Sequence, residues 1–213
     1  MESARVDDGL SHPPSLTLHG VFMEVMGIGV LLRGSAKVGK SELALELITR
    51  GHCLIADDAP NFCREAPARL VGRCPELLRD FLEVRGLGVL NIRALFGACG
   101  IREEKDLRLI IQLERMDEDS LGAFDRLQGS HQLCDFLGVV VPKITLPVAP
   151  GRNLAVLVEV AVRDHLLRVD GYNAVADFIE RQRQRIAGNE EGRNAGLAGG
   201  DGARGGDVCG GLP

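Results

Sequence analysis

Short apolar runs alternate with segments of helical periodicity along most of the chain. Residues 21–25 and 28–32 predict two strands, and because the second is apolar on both faces, we expect it to lie centrally in a sheet. Apolar positions along 39–50 predict a helix that Gly51 ends. Residues 53–56 predict another short strand.

The alternation continues toward the C-terminus with longer elements. The pattern predicts a helix over 76–82, a strand over 107–114, an extended segment over 139–148, and helices over 154–167 and 174–186. Strands that alternate with helices predict an α/β domain.

The two ends of the chain differ from the middle in composition. Residues 1–15 are short, polar and contain two adjacent prolines, so we expect a flexible leader. Residues 188–213 hold 10 glycines in 26 positions and few large apolar side chains, so we expect a disordered tail. The folded catalytic domain is therefore predicted over 16–187.

Composition narrows the function classes. The chain has 213 residues, 45% hydrophobic and 26% charged, which is typical of a globular protein. Its net charge of −5 does not favour nucleic acid or an anionic membrane as partner. There is neither a run of 18 apolar residues nor a signal-peptide pattern, so we expect a cytoplasmic protein without a membrane span. The six cysteines contain no CxxC pair and are expected to be reduced thiols.

The most specific motif, GSAKVGKS at 34–41, satisfies the phosphate-loop pattern GxxxxGK[ST] between a predicted strand and a predicted helix. In such a loop, backbone N–H groups and the helix N-terminus surround phosphate oxygens. Lys40 is expected to reach the outer phosphates, and the Ser41 hydroxyl to bind Mg²⁺. The residues predicted to bind the nucleotide are Gly34, Ser35, Ala36, Lys37, Val38, Gly39, Lys40 and Ser41. The alternative, a strand-to-helix turn with an exposed lysine, is disfavoured by the flanking elements.

Two carboxylates, Asp57 and Asp58, follow the predicted strand 53–56, one βα unit after the phosphate loop. Adjacent parallel strands deliver their C-terminal ends to one crevice, so we expect these residues beside the loop. An aspartate there can hold Mg²⁺ or accept a proton from an attacking hydroxyl. Because neighbouring residues of an extended chain point in different directions, the two roles can be divided between them.

A series of short motifs in family order makes the chain resemble the HPr kinase/phosphorylase family. The motifs are HGV at 19–21, GIGVL at 27–31, the phosphate loop with Glu42, LELI at 45–48, RGH at 50–52, ADD at 56–58, PELL at 75–78, LEVRGLG at 82–88, LFG at 95–97, FDRL at 124–127, PVAPGRN at 147–153 and GYN at 171–173. They cover nearly all of the predicted domain.

This resemblance implies an α/β phosphate-loop kinase domain related to the phosphoenolpyruvate carboxykinase-like fold. Such enzymes use ATP and Mg²⁺ to phosphorylate a serine of HPr, the small phosphocarrier of the sugar phosphotransferase system. They also remove that phosphate by phosphorolysis, with inorganic phosphate as the attacking group and pyrophosphate as the product. The resemblance further implies a homo-hexamer.

The resemblance also assigns site residues beyond the nucleotide loop. Asp58 matches the group that accepts the serine proton in the kinase direction, with Asp57 beside it near the metal. Glu83 matches a second metal ligand after Ser41, although a surface ion pair with Arg85 is its simpler interpretation.

Two further site residues come from the same likeness. His19 matches an active-site histidine upstream of the loop, where a lone histidine is more often a capping residue. Arg126 matches a catalytic arginine that can neutralise charge on the transferring phosphoryl group.

The chain departs from the family pattern in three places. Ala36-Lys37 replaces the usual Ser-Gly of the loop, and a positive φ at Lys37 would be strained. Ala149 stands where the family's dephosphorylation loop usually carries arginine, so phosphate attack is expected to be weaker. The family's N-terminal domain is missing, which predicts a catalytic domain by itself.

Three other functions remain open from the sequence. Ala149 and the missing domain would suit a kinase that has lost phosphorolysis. A regulatory module that senses ATP without turnover would explain the loop, but an intact set of Lys40, Asp58 and Arg126 argues against it. A small-molecule kinase would explain the loop and none of the other motifs.

Overall fold

The computed structural model describes residues 14–116 and 129–198, and the chain divides into two units, Met1–Asp170 and Gly171–Pro213. The strands are β1 (Ser15–Thr17), β2 (Val21–Val25), β3 (Ile28–Gly34), β4 (Cys53–Ala56), β5 (Asn61–Ala66), β6 (Arg69–Arg73), β7 (Phe81–Val84), β8 (Gly88–Asn91), β9 (Glu104–Arg115), β10 (His131–Phe136) and β11 (Val139–Val148). The helices are α1 (Lys40–Thr49), α2 (Ile92–Phe96), α3 (Leu154–Val169) and, in the second unit, α4 (Ala174–Ala198).

A nine-stranded mixed sheet forms the body of the first unit, which confirms the α/β prediction. Along its main path the strand order is β1-β5-β6-β9-β3-β2-β4. The long strand β9 pairs in parallel with β3 along one side. Along its other side, β9 pairs antiparallel with β6 near its start and in parallel with β11 near its end. Strand β10 pairs antiparallel with β11. Strands β7 and β8 form a separate hairpin.

Alternation along the central strands produces two hydrophobic layers, one on each face of the sheet. Val30 and Leu32 of β3 pack in the layer that includes α1 and α3, whereas Leu31 packs in the opposite layer. In that opposite layer the Phe22 and Phe62 rings meet edge to face with centroids 5.0 Å apart. Apolar side chains on both faces of β3 explain why the sequence identifies it as a central strand.

The predicted helix over 76–82 is wrong. Residues Glu76–Leu78 form only a 3₁₀ turn, which ends at Arg79 with an extended ψ of 135°, and Asp80 then adopts a positive φ of 70°. Leu82 and Val84 are buried in β7 while the residues beside them are exposed, a period of two rather than 3.6. Pairing with β8, a strand that the sequence analysis did not predict, selects the extended form.

The other predicted helices and strands are confirmed, with differences at their ends. Strands β1, β5, β6 and β10 had not been predicted, because each is at most six residues long and has too few apolar positions to give a clear period of two. Helix α4 continues past the predicted end at 186 to Ala198. Glutamate, arginine and alanine residues between 190 and 198 are strong helix formers. The helix therefore continues through the glycines at 188, 192 and 196.

Candidate active site

The phosphate loop lies between the end of β3 and the start of α1 and has three residues with positive φ. They are Gly34 at 155°, Lys37 at 67° and Gly39 at 103°. A Cβ at Gly34 would lie 2.7 Å from the Leu113 carbonyl oxygen, so only glycine fits there without rearrangement. The strain expected at Lys37 is therefore present.

Side-chain donors hold the loop from both sides. The Arg115 Nη2, at the end of β9, donates to the Lys37 carbonyl oxygen over 2.6 Å. Lys40 Nζ donates to the carbonyl oxygens of Gly34 and Ser35 over 3.2 and 3.3 Å. The Lys40 ammonium thus lies over the loop, and among residues 14–116 and 129–198 it donates only to these two neutral carbonyl groups.

Asp58 is the second residue after β4 and adopts φ of 65°, a left-handed conformation that aspartate tolerates better than most residues. Its Oδ1 lies 2.8 Å from His19 Nδ1. The Gly20 N–H donates to the Asp58 carbonyl oxygen over 3.1 Å and keeps the His19 segment beside the end of β4. Both side chains are mostly exposed, so this pair faces solvent.

Strand β4 is not the neighbour of β3, which corrects the expected arrangement. Strand β2 lies between them and pairs antiparallel with both. Two antiparallel steps restore the direction, so β3 and β4 still end at the same edge of the sheet. The phosphate loop and the aspartate pair therefore meet as expected, one strand further apart.

Asp57 points away from Asp58 and toward the β7–β8 hairpin. Its Oδ2 accepts a hydrogen bond of 2.9 Å from the Glu83 N–H. Burial raises the pKa of the Asp57 carboxyl, and the charges of Asp58 and Glu83 raise it further against the lowering effect of backbone N–H bonds. The two aspartates thus differ: Asp57 is half-buried and tied to β7, and Asp58 is exposed and paired with His19.

A cavity of about 280 Å³, which we call the phosphate cavity, collects most of the predicted site. It is lined by His19, Ala36, Lys37, Gly39, Lys40, Ser41, Glu42, Asp57, Asp58, Glu83 and Arg85. Of the remaining loop residues, Gly34 and Ser35 contact Lys40 through their carbonyl groups, and Val38 is buried in the core. Arg126 lies outside the described residues.

Sequence reasoning did not single out two arginines that the structure places at the candidate site. Arg85 lines the phosphate cavity two residues after Glu83, and no ion pair between Glu83 and Arg85 is found among the described residues. The signal for Arg85 was its place in the motif at 82–88. Arg115 lies 78 residues from its partner Lys37, and nothing local in the sequence signals that contact.

The oxygen atoms of the cavity suit a small hard cation carried with phosphates. Residues 14–116 and 129–198 contain no group of three or more histidine, cysteine or acidic residues that could hold a metal alone. Mg²⁺ does not need one, because it usually takes one or two carboxylates and completes its shell with waters and substrate phosphates. The Ser41 hydroxyl and the carboxylates of Asp57 and Glu83 provide such a set, and the raised pKa of Asp57 is a cost that a cation would offset.

Within the described part of the chain, no helix is long and apolar enough to cross a membrane. The described cysteines Cys53, Cys63, Cys74, Cys99 and Cys134 are free thiols.

Comparison with known proteins gives one consistent family. Residues 12–182 match the family described as HPr Serine kinase C-terminal domain. The chain is 57% identical over 169 residues to an HPr kinase/phosphorylase of Xanthomonas campestris pv. campestris, covering 79% of this chain and 54% of the relative. It is 53% identical over 176 residues to that of Chromobacterium violaceum, covering 83% and 55%.

A solved structure agrees with these relatives. The HPr(Ser) kinase/phosphatase from Coxiella burnetii is similar with a TM-score of 0.69 and 35% identity, covering 76% of this chain and 98% of that one. The chain spans about half the length of the curated relatives that it matches.

Proposed function

The chain belongs to the HPr serine kinase C-terminal domain family, and on that premise we propose that it transfers the terminal phosphoryl group of ATP to a seryl hydroxyl of an HPr-type phosphocarrier protein. The observation that carries the proposal is the meeting of His19 and Asp58 with the phosphate loop in one cavity. A nucleotide-sensing module would need the loop alone and gives no reason for a paired proton acceptor beside it.

The proton of the seryl hydroxyl passes to Asp58. This carboxylate is exposed at the cavity, and its Oδ1 lies 2.8 Å from His19 Nδ1, so the histidine holds it in one orientation. A fixed acceptor within hydrogen-bond reach of the attacking hydroxyl is the requirement for general base catalysis. In the phosphorolysis direction the same carboxyl group returns the proton to the serine.

The phosphates lie against the loop. Backbone N–H groups at the start of α1 and the Lys40 ammonium surround their oxygens, and Arg85 faces the same cavity. Ser41, Asp57 and Glu83 would hold Mg²⁺, which supplies neutralisation of phosphate charge when it is bound with the nucleotide. Arg126 remains a proposed catalytic arginine on the strength of its motif.

Phosphorolysis is the second part of the proposal. The turn at 149–153 follows β11, and its Arg152 N–H donates to the Ala149 carbonyl oxygen over 3.4 Å. Ala149 cannot neutralise an attacking phosphate as an arginine would. We therefore expect phosphorolysis to be slower than the kinase reaction, and a kinase without phosphorolysis is the second candidate that this residue favours.

Assembly and location complete the proposal. A homo-hexamer in the cytoplasm is what the family resemblance implies. Light scattering of the purified chain across a concentration series tests the assembly, and a monomer at every concentration would contradict it.

The experiment uses the purified chain, ATP with Mg²⁺, and an HPr-type carrier, with intact mass reporting the gain of one phosphoryl group. Asp58→Asn should lower the transfer rate about 10³-fold, the usual contribution of a general base, while ATP binding persists. Asp170→Asn, at the exposed end of α3, serves as the matched control and should be unchanged.

The phosphorylated carrier is then incubated with inorganic phosphate. Loss of the phosphoryl group with release of pyrophosphate supports the bifunctional enzyme, and its persistence supports the kinase-only candidate. ATP binding without any transfer would contradict both and leave the nucleotide-sensing module.

A further inference from the structure

A second cavity adjoins the phosphate cavity on the other side of the α1 N-terminus. It has a volume of about 500 Å³ and lies between the first two turns of α1 and the turn that begins α3. Gly39 and Glu42 line both cavities, so the second one continues from the place where the phosphates are proposed to lie. The roles proposed above leave it without an occupant.

The strand order explains why the two cavities adjoin. Strands β3, β9 and β11 are parallel neighbours, and all three end at the same edge of the sheet. The phosphate loop follows β3, and the turn at 149–153 follows β11, two strands away. Ligands of open α/β sheets bind in the crevice outside these strand ends, so an elongated ligand held at β3 extends toward β11.

The lining of the second cavity suits a nucleoside better than another anion. Leu154 provides an apolar surface beside the buried Leu43, whereas Glu46, which lines this cavity and not the phosphate cavity, places a carboxylate that repels phosphate. Carboxylates accept hydrogen bonds from ribose hydroxyls. The exposed Arg152 guanidinium has no acidic partner among the described ion pairs, and such a planar group stacks on a purine face.

Hydrogen bonds in the lining and at the far end of α1 support the two walls of the cavity. Asn153 caps α3 by accepting the Val156 N–H over 3.0 Å, which fixes the turn that carries Arg152. At the far end of α1, Arg50 donates two hydrogen bonds of 2.9 and 2.5 Å to Glu159 of α3. A preformed cavity needs little ordering when a ligand binds.

We propose that this second cavity, the nucleoside cavity, binds the base and ribose of ATP, with Arg152 stacked on the purine and Glu46 accepting a ribose hydroxyl. The inference rests on the proposed function for the position of the phosphates. It adds the residues that distinguish ATP from phosphate compounds without a nucleoside.

Calorimetric titration with two probes separates the cavities, each in the presence of Mg²⁺. ATP fills both cavities, and tripolyphosphate fills only the phosphate cavity. Arg152→Ala and Glu46→Ala should each weaken ATP about tenfold, as expected for the loss of one interaction with a charged group, and should change tripolyphosphate less than about twofold. Glu103→Ala, an exposed glutamate before β9, removes the same charge elsewhere and should change neither probe.

The signs of the two changes exclude a simple charge effect. Removing a positive charge at Arg152 by electrostatics alone would weaken tripolyphosphate at least as much as ATP. Removing a negative charge at Glu46 would strengthen both. Equal changes for the two probes, or no change for ATP, would overturn the nucleoside cavity and leave the kinase proposal intact. If the wild-type chain binds neither ATP nor tripolyphosphate, both proposals are overturned.

Discussion

The two ends of α1 use their polar groups in opposite ways. At its N-terminus the loop over 34–41 has positive φ at three positions, and within the described part of the chain the Lys40 ammonium donates hydrogen bonds only to carbonyl groups. At its C-terminus the charges are matched to each other: Glu159 binds Arg50 and lies 3.0 Å from His52 Nε2. The charged group at the N-terminal end of α1 therefore has only neutral partners among the described residues, whereas the charged groups at its C-terminal end pair with a carboxylate of α3.

The backbone shows the same contrast. The C-terminus has a complete Schellman motif, in which Gly51 N–H donates to Ile48 and His52 N–H donates to Leu47. Gly51, at φ of 94°, is a residue type suited to that conformation, whereas Lys37 at the other end is not. Strain in a folded protein persists where surrounding structure imposes it, and it concentrates at functional sites. The strained residue thus lies at the end of α1 where we propose that phosphates bind, and the C-terminal end has no such strain.

A glycine-to-alanine substitution should lower ATP affinity at the N-terminal end of α1 and not at its C-terminal end. Gly34→Ala should cause the largest loss of ATP affinity. Its Cβ would lie 2.7 Å from the Leu113 carbonyl oxygen, so the loop must shift. We expect ATP affinity, measured by calorimetry, to fall about 100-fold, equivalent to about 3 kcal/mol.

Gly51→Ala is the matched control, because nothing lies within 4 Å of its Cβ position. It should lower the free energy of unfolding by about 1 kcal/mol through its positive φ and leave ATP affinity unchanged. Equal losses of ATP affinity in both variants would contradict the contrast between the two ends.

A smaller effect is expected from Arg115→Ala, which removes the hydrogen bond to the Lys37 carbonyl oxygen. The loop would lose one hydrogen bond to β9. We expect ATP affinity to fall about fivefold, because an exposed hydrogen bond contributes about 1 kcal/mol. Arg108→Ala, an exposed position on the same strand, controls for lost positive charge. An unchanged affinity in Arg115→Ala would show that the loop holds its shape without this contact.

At the C-terminal end of α1, Glu159→Gln should affect stability and not the transfer rate. The Arg50 hydrogen bonds hold the pKa of the Glu159 carboxyl at about 2, against 4.5 for the free group. The unfolded chain therefore binds more protons between these values, and the stabilisation is present above pH 4.5 and lost as the pH falls toward 2. We expect a loss of about 1 kcal/mol at neutral pH, since the pair is partly exposed.

Chemical denaturation of wild type and variant at a series of pH values measures this difference. Asp164→Asn is the control, because its ion pair with Arg168 lies within α3 and does not reach α1. A difference between wild type and Glu159→Gln that stayed constant down to pH 2 would contradict the role given to the carboxylate.

The smallest effect is expected at the strained loop position itself. Lys37→Gly removes the strain of a positive φ of 67° but raises the conformational entropy of the unfolded chain. The free energy of unfolding should therefore rise by only about 0.5 kcal/mol. Lys37→Ala removes the same charge and keeps the strain, so it should not gain stability. If both variants have equal stability, the loop is not strained at this residue.

Local patterns were sufficient for much of the site. The spacing of glycines and Lys40 in the motif at 34–41 requires a strand, a tight loop and a helix in succession, and those elements are present. Short continuous apolar runs likewise predicted β2, β3 and β4, because a strand that is buried on both faces has few polar positions. Residues 76–82 show the limit of prediction from local patterns. A short apolar segment fits either a helix or a strand, and pairing with β8 makes its second half, in β7, a strand.

The chain by itself determined the chemistry that the site can perform, because side-chain types and their short spacings are fixed by the sequence. Tertiary structure decided which of these groups meet. The insertion of β2 between β3 and β4 sets the distance from loop to aspartates, and Arg115 reaches Lys37 across 78 residues. Glu159 joins Arg50 across 109 residues. Such contacts depend on strand order and helix packing, which are settled by the burial of the whole sheet and not by any local pattern.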